Sequence, residues 1–185
     1  VKGSYGTGFR SPTFNELFFP FYGNPSLKPE ESRSWEAGIE KEIFKNSFIS
    51  LTYFKQWYKN LIQTDPLTFT AKNIAEAEIT GIEADTKVKL TDNIDISAGY
   101  THLDTEDKST GERLSRRPKD KFNLEAWFYM KDFSFVADYT FVGKRFDSSV
   151  GRHLSSYSLV NLSSTYKMAK EITIFGRVDN LFNKD

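Results

Sequence analysis

Two-residue alternation sustained over long segments constrains this chain more than any other feature. From 82 to 90, Ile82, Ala84, Thr86, Val88 and Leu90 are interleaved with Glu83, Asp85, Lys87 and Lys89. From 94 to 100, Ile94, Ile96, Ala98 and Tyr100 alternate with Asp95, Ser97 and Gly99. Phe122, Leu124, Ala126, Phe128 and Met130 form a third series, and Phe133, Phe135, Ala137, Tyr139 and Phe141 a fourth. Side chains along a strand point to opposite faces in turn, so each series places its apolar members on one face and most of its charge on the other. Related patterns at 1–6, 35–43, 49–57, 160–166 and 172–182 bring the expectation to about nine strands. No segment carries a convincing helical period.

The connections sort into two kinds. Tight polar turns are expected at 45–46, 91–93, 131–132 and 168–171. Between them lie long connections, at roughly 8–32, 59–77, 104–120 and 144–156. Short and long alternate strictly, which in an up-and-down antiparallel sheet gathers the turns on one rim and the loops on the other. Outer-membrane barrels have this asymmetry. Several strands also approach the ~9–11 residues that cross a bilayer at a tilt. Trp57, Tyr58, Tyr100, Trp127, Tyr129 and Tyr166 lie near strand ends, where an aromatic belt would sit. A half-buried soluble sheet, such as a β-rich binding module, would show the same alternation, but has no reason to sort its loops.

Composition excludes other classes. The 185 residues hold 25 basic and 25 acidic side chains and no Cys, so nothing favours nucleic acid, a disulfide framework or a thiolate metal site. No apolar run is long enough for a membrane helix. No Ser with a neighbouring His, Gly-rich phosphate loop or HExxH motif is present, so no enzyme is expected. His102 and His153 are about 50 residues apart and read as solvated loop residues. Asp104, Glu106 and Asp107 resemble half an acidic calcium loop without its Gly and closing Glu, so no metal site is expected. Glu83, Asp85, Lys87 and Lys89 read as a wet wall. The chain opens on what looks like mid-strand and stops abruptly, which suggests a piece of a longer protein.

The segment Tyr5-Gly6-Thr7-Gly8-Phe9-Arg10-Ser11-Pro12-Thr13-Phe14-Asn15-Glu16-Leu17 resembles a strand-to-loop segment of TonB-dependent outer-membrane receptors. Gly23-Asn24-Pro25-Ser26-Leu27-Lys28-Pro29-Glu30, Trp35-Glu36-Ala37-Gly38 and Ile79-Thr80-Gly81-Ile82-Glu83-Ala84 follow in the same family order. Val178-Asp179-Asn180-Leu181-Phe182-Asn183-Lys184-Asp185 is similar to the penultimate-strand signature. Within the family, Tyr22-Gly23-Asn24-Pro25, Asn60-Leu61-Ile62, Arg116-Arg117 and Lys144-Arg145-Phe146-Asp147 bring the chain nearest to the cobalamin receptor branch. Siderophore and haem receptors share much of this pattern.

The resemblance implies an all-β, antiparallel transmembrane barrel of about 22 strands around an N-terminal plug. It also implies a Gram-negative outer-membrane location and import of a large chelate, most closely cobalamin, powered through TonB. Residues 1–185 would be the C-terminal part of that barrel, with the plug and final strand outside it. Ligand contact carries over to Arg116, with its neighbour Arg117, and more weakly to Val150 in the following loop. Calcium sites, if any, would belong to an earlier part of the barrel. Outer-membrane lipid and lipopolysaccharide are the implied surroundings.

Overall fold

A computed structural model describes residues 1–148 and 150–184, with the side chain of Ala75 outside that description. The strands are β1 Lys2–Arg10, β2 Glu30–Phe44, β3 Ser47–Thr64, β4 Ala71–Thr91, β5 Ile94–Asp107, β6 Asp120–Met130 and β7 Phe133–Val142. They continue with β8 Arg145–Asp147, β9 Arg152–Leu154, β10 Tyr157–Ala169 and β11 Ile172–Val178. Nine of them form one antiparallel meander in the order β1-β2-β3-β4-β5-β6-β7-β10-β11, and β8 and β9 make a separate small hairpin.

The register explains the alternation. Ala37 is opposite Tyr53, Tyr53 opposite Ile82, Leu51 opposite Ala84, and Ala84 opposite Tyr100. The row continues from Tyr100 to Phe122, from Phe122 to Phe141 and from Phe141 to Ser158. One row nearer the turns, Ala126 is opposite Ala137, Ala137 opposite Leu162, and Leu162 opposite Val178. Apart from Ser158 at the outer end of the first row, these residues make one apolar band across the strands they belong to. The complementary face pairs Thr52 with Glu83, Glu83 with Thr101, Asn123 with Thr140 and Asp138 with Asn161. Asn161 Nδ2 donates to Asp138 Oδ1 at 2.7 Å. An apolar outside and a hydrogen-bonded polar inside are the two faces of a bilayer-spanning barrel wall.

Aromatic rings edge the band at both ends. Trp35 packs on Tyr53 at 5.4 Å and Phe122 on Tyr139 at 6.1 Å towards the loops. Phe133 stacks on Tyr166 at 4.2 Å beside the turns. Of the belt expected from sequence, Trp57, Tyr100 and Tyr166 share the outer face. Tyr58, Trp127 and Tyr129 pair through Ala77, Val136 and Ser134 on the opposite face, so they are not part of it.

Other expectations are corrected at the loop rim. The connection expected at 59–77 shrinks to 65–70, because β3 and β4 stay paired through Leu61–Ile74, Ile62–Asn73 and Thr64–Ala71. The connection at 8–32 contains a one-turn helix, α1 Phe14–Phe18, closed by a capping box between Thr13 and Glu16. The loop at 144–156 contains the β8–β9 hairpin. The last strand ends at Val178 rather than near 182, where Asn180 and Asn183 turn the chain at positive φ. Asp185, the final residue of the terminal motif, lies outside the described residues.

Candidate ligand-binding mouth

The connections at the loop rim interlock. Arg10, at the end of β1, holds Glu30 through two short hydrogen bonds (Nε at 2.7 Å, Nη2 at 2.6 Å) and also donates to both Glu16 oxygens at 3.0 and 3.1 Å. Glu30 additionally accepts from the Ile62 N–H at 2.8 Å, so one guanidinium ties β1, α1, β2 and β3 together. Burial pushes the Glu16 and Glu30 carboxyls up. The hydrogen bonds from Arg10, with the Thr13 N–H at Glu16 and the Ile62 N–H at Glu30, outweigh it and leave both below the ordinary range. The Arg10 guanidinium is correspondingly raised, first by Glu30 and then by Glu16.

Past α1 the chain folds back on itself. Gly23 N–H donates to Phe19 O at 2.7 Å and Asn24 N–H to Glu16 O at 2.8 Å. A Cβ at Gly23 would stand 2.6 Å from the backbone nitrogens of Phe18 and Phe19, so only glycine fits that approach. This loop then docks on β4: Ala71 N–H donates to Tyr22 O, Asn24 Nδ2 to Ala71 O, and Asn73 Nδ2 to both Lys28 O and Asn60 O.

On the other side, the connection after β5 folds inward over the polar face. Leu114 is 2% exposed and packs with Leu61, Ile74, Ala77 and Ile79, flanked by Phe54, Tyr58 and Leu103. Its N–H donates to Thr105 Oγ1 at 3.1 Å, and Arg113 spans Asp104 Oδ1 and Leu103 O. This apolar plug seats the residues that follow it. Arg116 has φ 59°, outside the region most L-residues adopt. Its N–H donates to Phe146 O at 2.7 Å and its Nε to Asp147 Oδ1 at 3.0 Å, while Ser148 N–H donates to Ser115 Oγ at 2.9 Å.

These contacts leave a polar pocket of about 190 Å³ where the connections meet. Arg116 and Arg117 line it, with Tyr22, Gln63, Thr64 and Ser148. The two arginines expected from sequence are thus brought together with the loop after β1 and the end of β3. Val150 is not among the lining residues; it is 53% exposed in the β8–β9 turn, its N–H donating to Asp147 O at 3.3 Å. Sequence reasoning missed Tyr22, Gln63 and Ser148 as neighbours of the arginines; Tyr22 stands in a quoted motif, whereas nothing local distinguishes Gln63.

The remaining titratable candidates have structural partners. His102 Nδ1 lies 2.8 Å from Asp120 Oδ1, which also accepts from the Tyr100 hydroxyl. His153 rests against the Phe146 ring at 5.3 Å. Asp107 closes a turn by accepting from Ser109 N–H, and Asp104 pairs with Arg113. Among the described residues no group of three or more His, Asp or Glu side chains could hold a metal ion.

The comparisons agree with this geometry. A family model described as TonB dependent receptor-like, beta-barrel matches residues 1–181. The chain is 36% identical over 186 residues to the vitamin B12 transporter BtuB of Vibrio vulnificus, covering 98% of this chain and 30% of that protein. Against BtuB of Photobacterium profundum the identity is 31%, over 100% of this chain and 32% of that one. The ferric enterobactin receptor PfeA of Pseudomonas aeruginosa superposes with a TM-score of 0.78 at 25% identity, over 98% of this chain and 32% of that structure. The copper transporter OprC, at 20% identity, shares the fold with a TM-score of 0.81 over 99% and 31%. The chain therefore spans about a third of the length of these relatives. A bilayer-matched sheet, loops gathered on one rim and a family match over nearly every residue place the chain in the TonB-dependent receptor β-barrel family of the Gram-negative outer membrane.

Proposed function

We propose that this chain forms wall and mouth of an importer of cobalamin, the C-terminal part of a receptor barrel in which a plug fills the lumen and TonB supplies energy. The carrying observation is the pocket bordered by Arg116 and Arg117, in a chain whose B12-transporting relatives are 36% and 31% identical along its length. Cobalamin presents peripheral amides and a phosphate, and guanidinium groups donate several hydrogen bonds to such oxygens. At about 190 Å³ the pocket takes one peripheral arm of so large a molecule, with the remainder held by the other loops and the plug. The work is binding and gated passage, with no covalent step. An iron–siderophore or haem is the second reading, supported by the likeness to the ferric enterobactin receptor.

The test is cobalamin binding to outer membranes carrying the intact receptor, with a ferric siderophore as competitor. Arg116→Ala should weaken cobalamin binding by roughly 1–3 kcal/mol, the scale of a hydrogen bond to a charged donor. No cobalamin binding by the wild type, with direct binding of the ferric siderophore, would reject the cobalamin reading. Unchanged affinity in the variant would reject only the role of Arg116.

A further inference from the structure

Just beyond the apolar band, on its outer face, β5 carries a cluster of titratable side chains. Tyr100 belongs to the upper row of the band; His102 is two residues further along, ~7 Å at strand rise, and Asp104 two further still. Across the ladder His102 is opposite Asp120, the first residue of β6. His102 Nδ1 lies 2.8 Å from Asp120 Oδ1, which also accepts from the Tyr100 hydroxyl at 2.7 Å, and His102 Nε2 lies 3.7 Å from Asp104 Oδ2. On the other side β4 places Thr80, Ile82 and Ala84 opposite Asp104, His102 and Tyr100, none of them charged. From the connection after β5, Arg113 Nη1 donates to Asp104 Oδ1 at 3.1 Å, and Lys119 precedes Asp120 in the chain.

The imidazole thus stands between two carboxylates, and its charge decides what it can offer them. A neutral imidazole has one N–H and one lone pair. The 2.8 Å contact with the Asp120 carboxylate requires the N–H at Nδ1, so Nε2 turns its lone pair towards the Asp104 carboxylate, two acceptors with no proton between them. Protonation puts an N–H on both nitrogens. The bond to Asp120 then becomes charge-assisted, and Asp104 gains an attraction it lacked. Asp104 can meet both cations at once, since His102 faces Oδ2 while Arg113 donates to Oδ1.

We infer that His102 is a proton-operated latch on the connection that carries Arg116 and Arg117. The Asp104 side chain is 66% exposed, and among the described residues its other ion-pair partner is Arg113. A cation on each side pins it, and with it Arg113, whose Nη2 also donates to Leu103 O at 2.8 Å. Leu103 N–H in turn donates to Lys119 O at 2.8 Å, at the far end of the same connection. Between these two anchors lie Leu114, seated in its apolar cluster, and the arginine pair on the pocket. Mild acid therefore firms the connection and neutral pH loosens it, whichever chelate the mouth takes.

The experiment is amide exchange on the full-length receptor in lipid nanodiscs, read as protection across residues 109–119 after correction for intrinsic exchange. It compares about pH 7.5 with about pH 5.5, either side of the ~6.5 at which an imidazole ordinarily titrates and above the range in which Glu16 and Glu30 protonate. Protection in the wild type should rise about two- to fivefold at the lower pH, the scale of a half-exposed ion pair. His102→Gln and Asp104→Asn should each abolish the rise, whereas His153→Gln, which removes the imidazole resting on Phe146, should keep it. Heat-modifiable gel mobility verifies that each variant barrel is folded. Equal protection of the wild type at both pH values would overturn the inference. So would a rise that survives in folded His102→Gln or Asp104→Asn, or one that disappears with His153→Gln.

Discussion

If the band containing Ala126, Ala137 and Leu162 faces lipid, a charge there should cost stability in proportion to its depth. Ala137 is four residues beyond Phe133, where β7 leaves its turn, so it lies ~13 Å along the strand. At the ~35–45° tilt of such strands that is a height of ~10 Å in an apolar band ~25 Å tall, which puts Ala137 in its central part. Arg at the midplane should cost ~2–4 kcal/mol. The upper part of that range applies, because both cross-strand neighbours, Ala126 and Leu162, are apolar and neither offers a counter-charge. Ser158 shares the face but is opposite Phe141, eight residues from the turn and near the outer boundary, where the same charge should cost ~0–1 kcal/mol. Val136 is opposite Trp127 and Ser163 on the wet face, two residues from Asp138, and Arg there should cost little. The assay is denaturant-driven unfolding of the full-length receptor in lipid vesicles, comparing Ala137→Arg, Ser158→Arg and Val136→Arg. Equal penalties at Ala137 and Val136 would refute the assignment of faces, and equal penalties at Ala137 and Ser158 would refute the placement of the band.

Two further outcomes concern the loops. Leu114→Ala should release the connection after β5, with a local cost of about 2–4 kcal/mol for emptying a buried leucine site, read as faster amide exchange across residues 109–119 while the strands stay protected. The clamp of Arg10 on Glu16 and Glu30 should be pH-sensitive with a defined sign. Both carboxyls are lowered from an ordinary value of 4.5, so their stabilisation is complete above that value and is lost as pH falls through the lowered folded values. Limited proteolysis of residues 11–29 should therefore accelerate as pH drops below about 4.5, and Arg10→Gln should flatten that dependence by removing the cation that lowers them.

What could be read from the sequence follows from where lipid enforces a pattern. Residues 82–90 and 133–141 alternate cleanly because one face meets hydrocarbon and the other water, and there the strands and tight turns stand where the alternation puts them. Above the band that pressure ends. There the outer face carries Lys59, Glu76 and Glu78 while Tyr58, Ala77 and Ile79 stand on the other, the reverse of the pattern in the band, so the outer thirds of β3 and β4 read as a loop although they stay paired. A five-residue helix and two three-residue strands are too short to show any period, and α1 is visible only through Thr13 and Glu16 at capping-box spacing. Leu114 left a trace, as a lone aliphatic side chain between Arg113 and Ser115 in a polar connection. The bonds that shape the mouth left none: Arg10 reaches Glu30 across 20 residues and Arg116 reaches Asp147 across 31.

That last pair separates two residues the sequence presents as equivalent. By motif, Arg116 and Arg117 are a basic doublet, and family resemblance favours Arg116 for the ligand. The structure places both on the pocket, but Arg116 also holds the β8–β9 hairpin through Phe146 and Asp147, with a backbone conformation that costs energy unless those bonds repay it. Arg117 lines the pocket without an ion pair among the described residues. A ligand oxygen arriving at Arg116 must share its guanidinium with Asp147. Ligand contact at Arg116 would thus be felt directly by the hairpin that carries Val150. This links the two contacts carried over from the family even though Val150 does not line the pocket. On the proposed reading, Arg116 would join loop position to ligand recognition, with Arg117 lining the same pocket beside it.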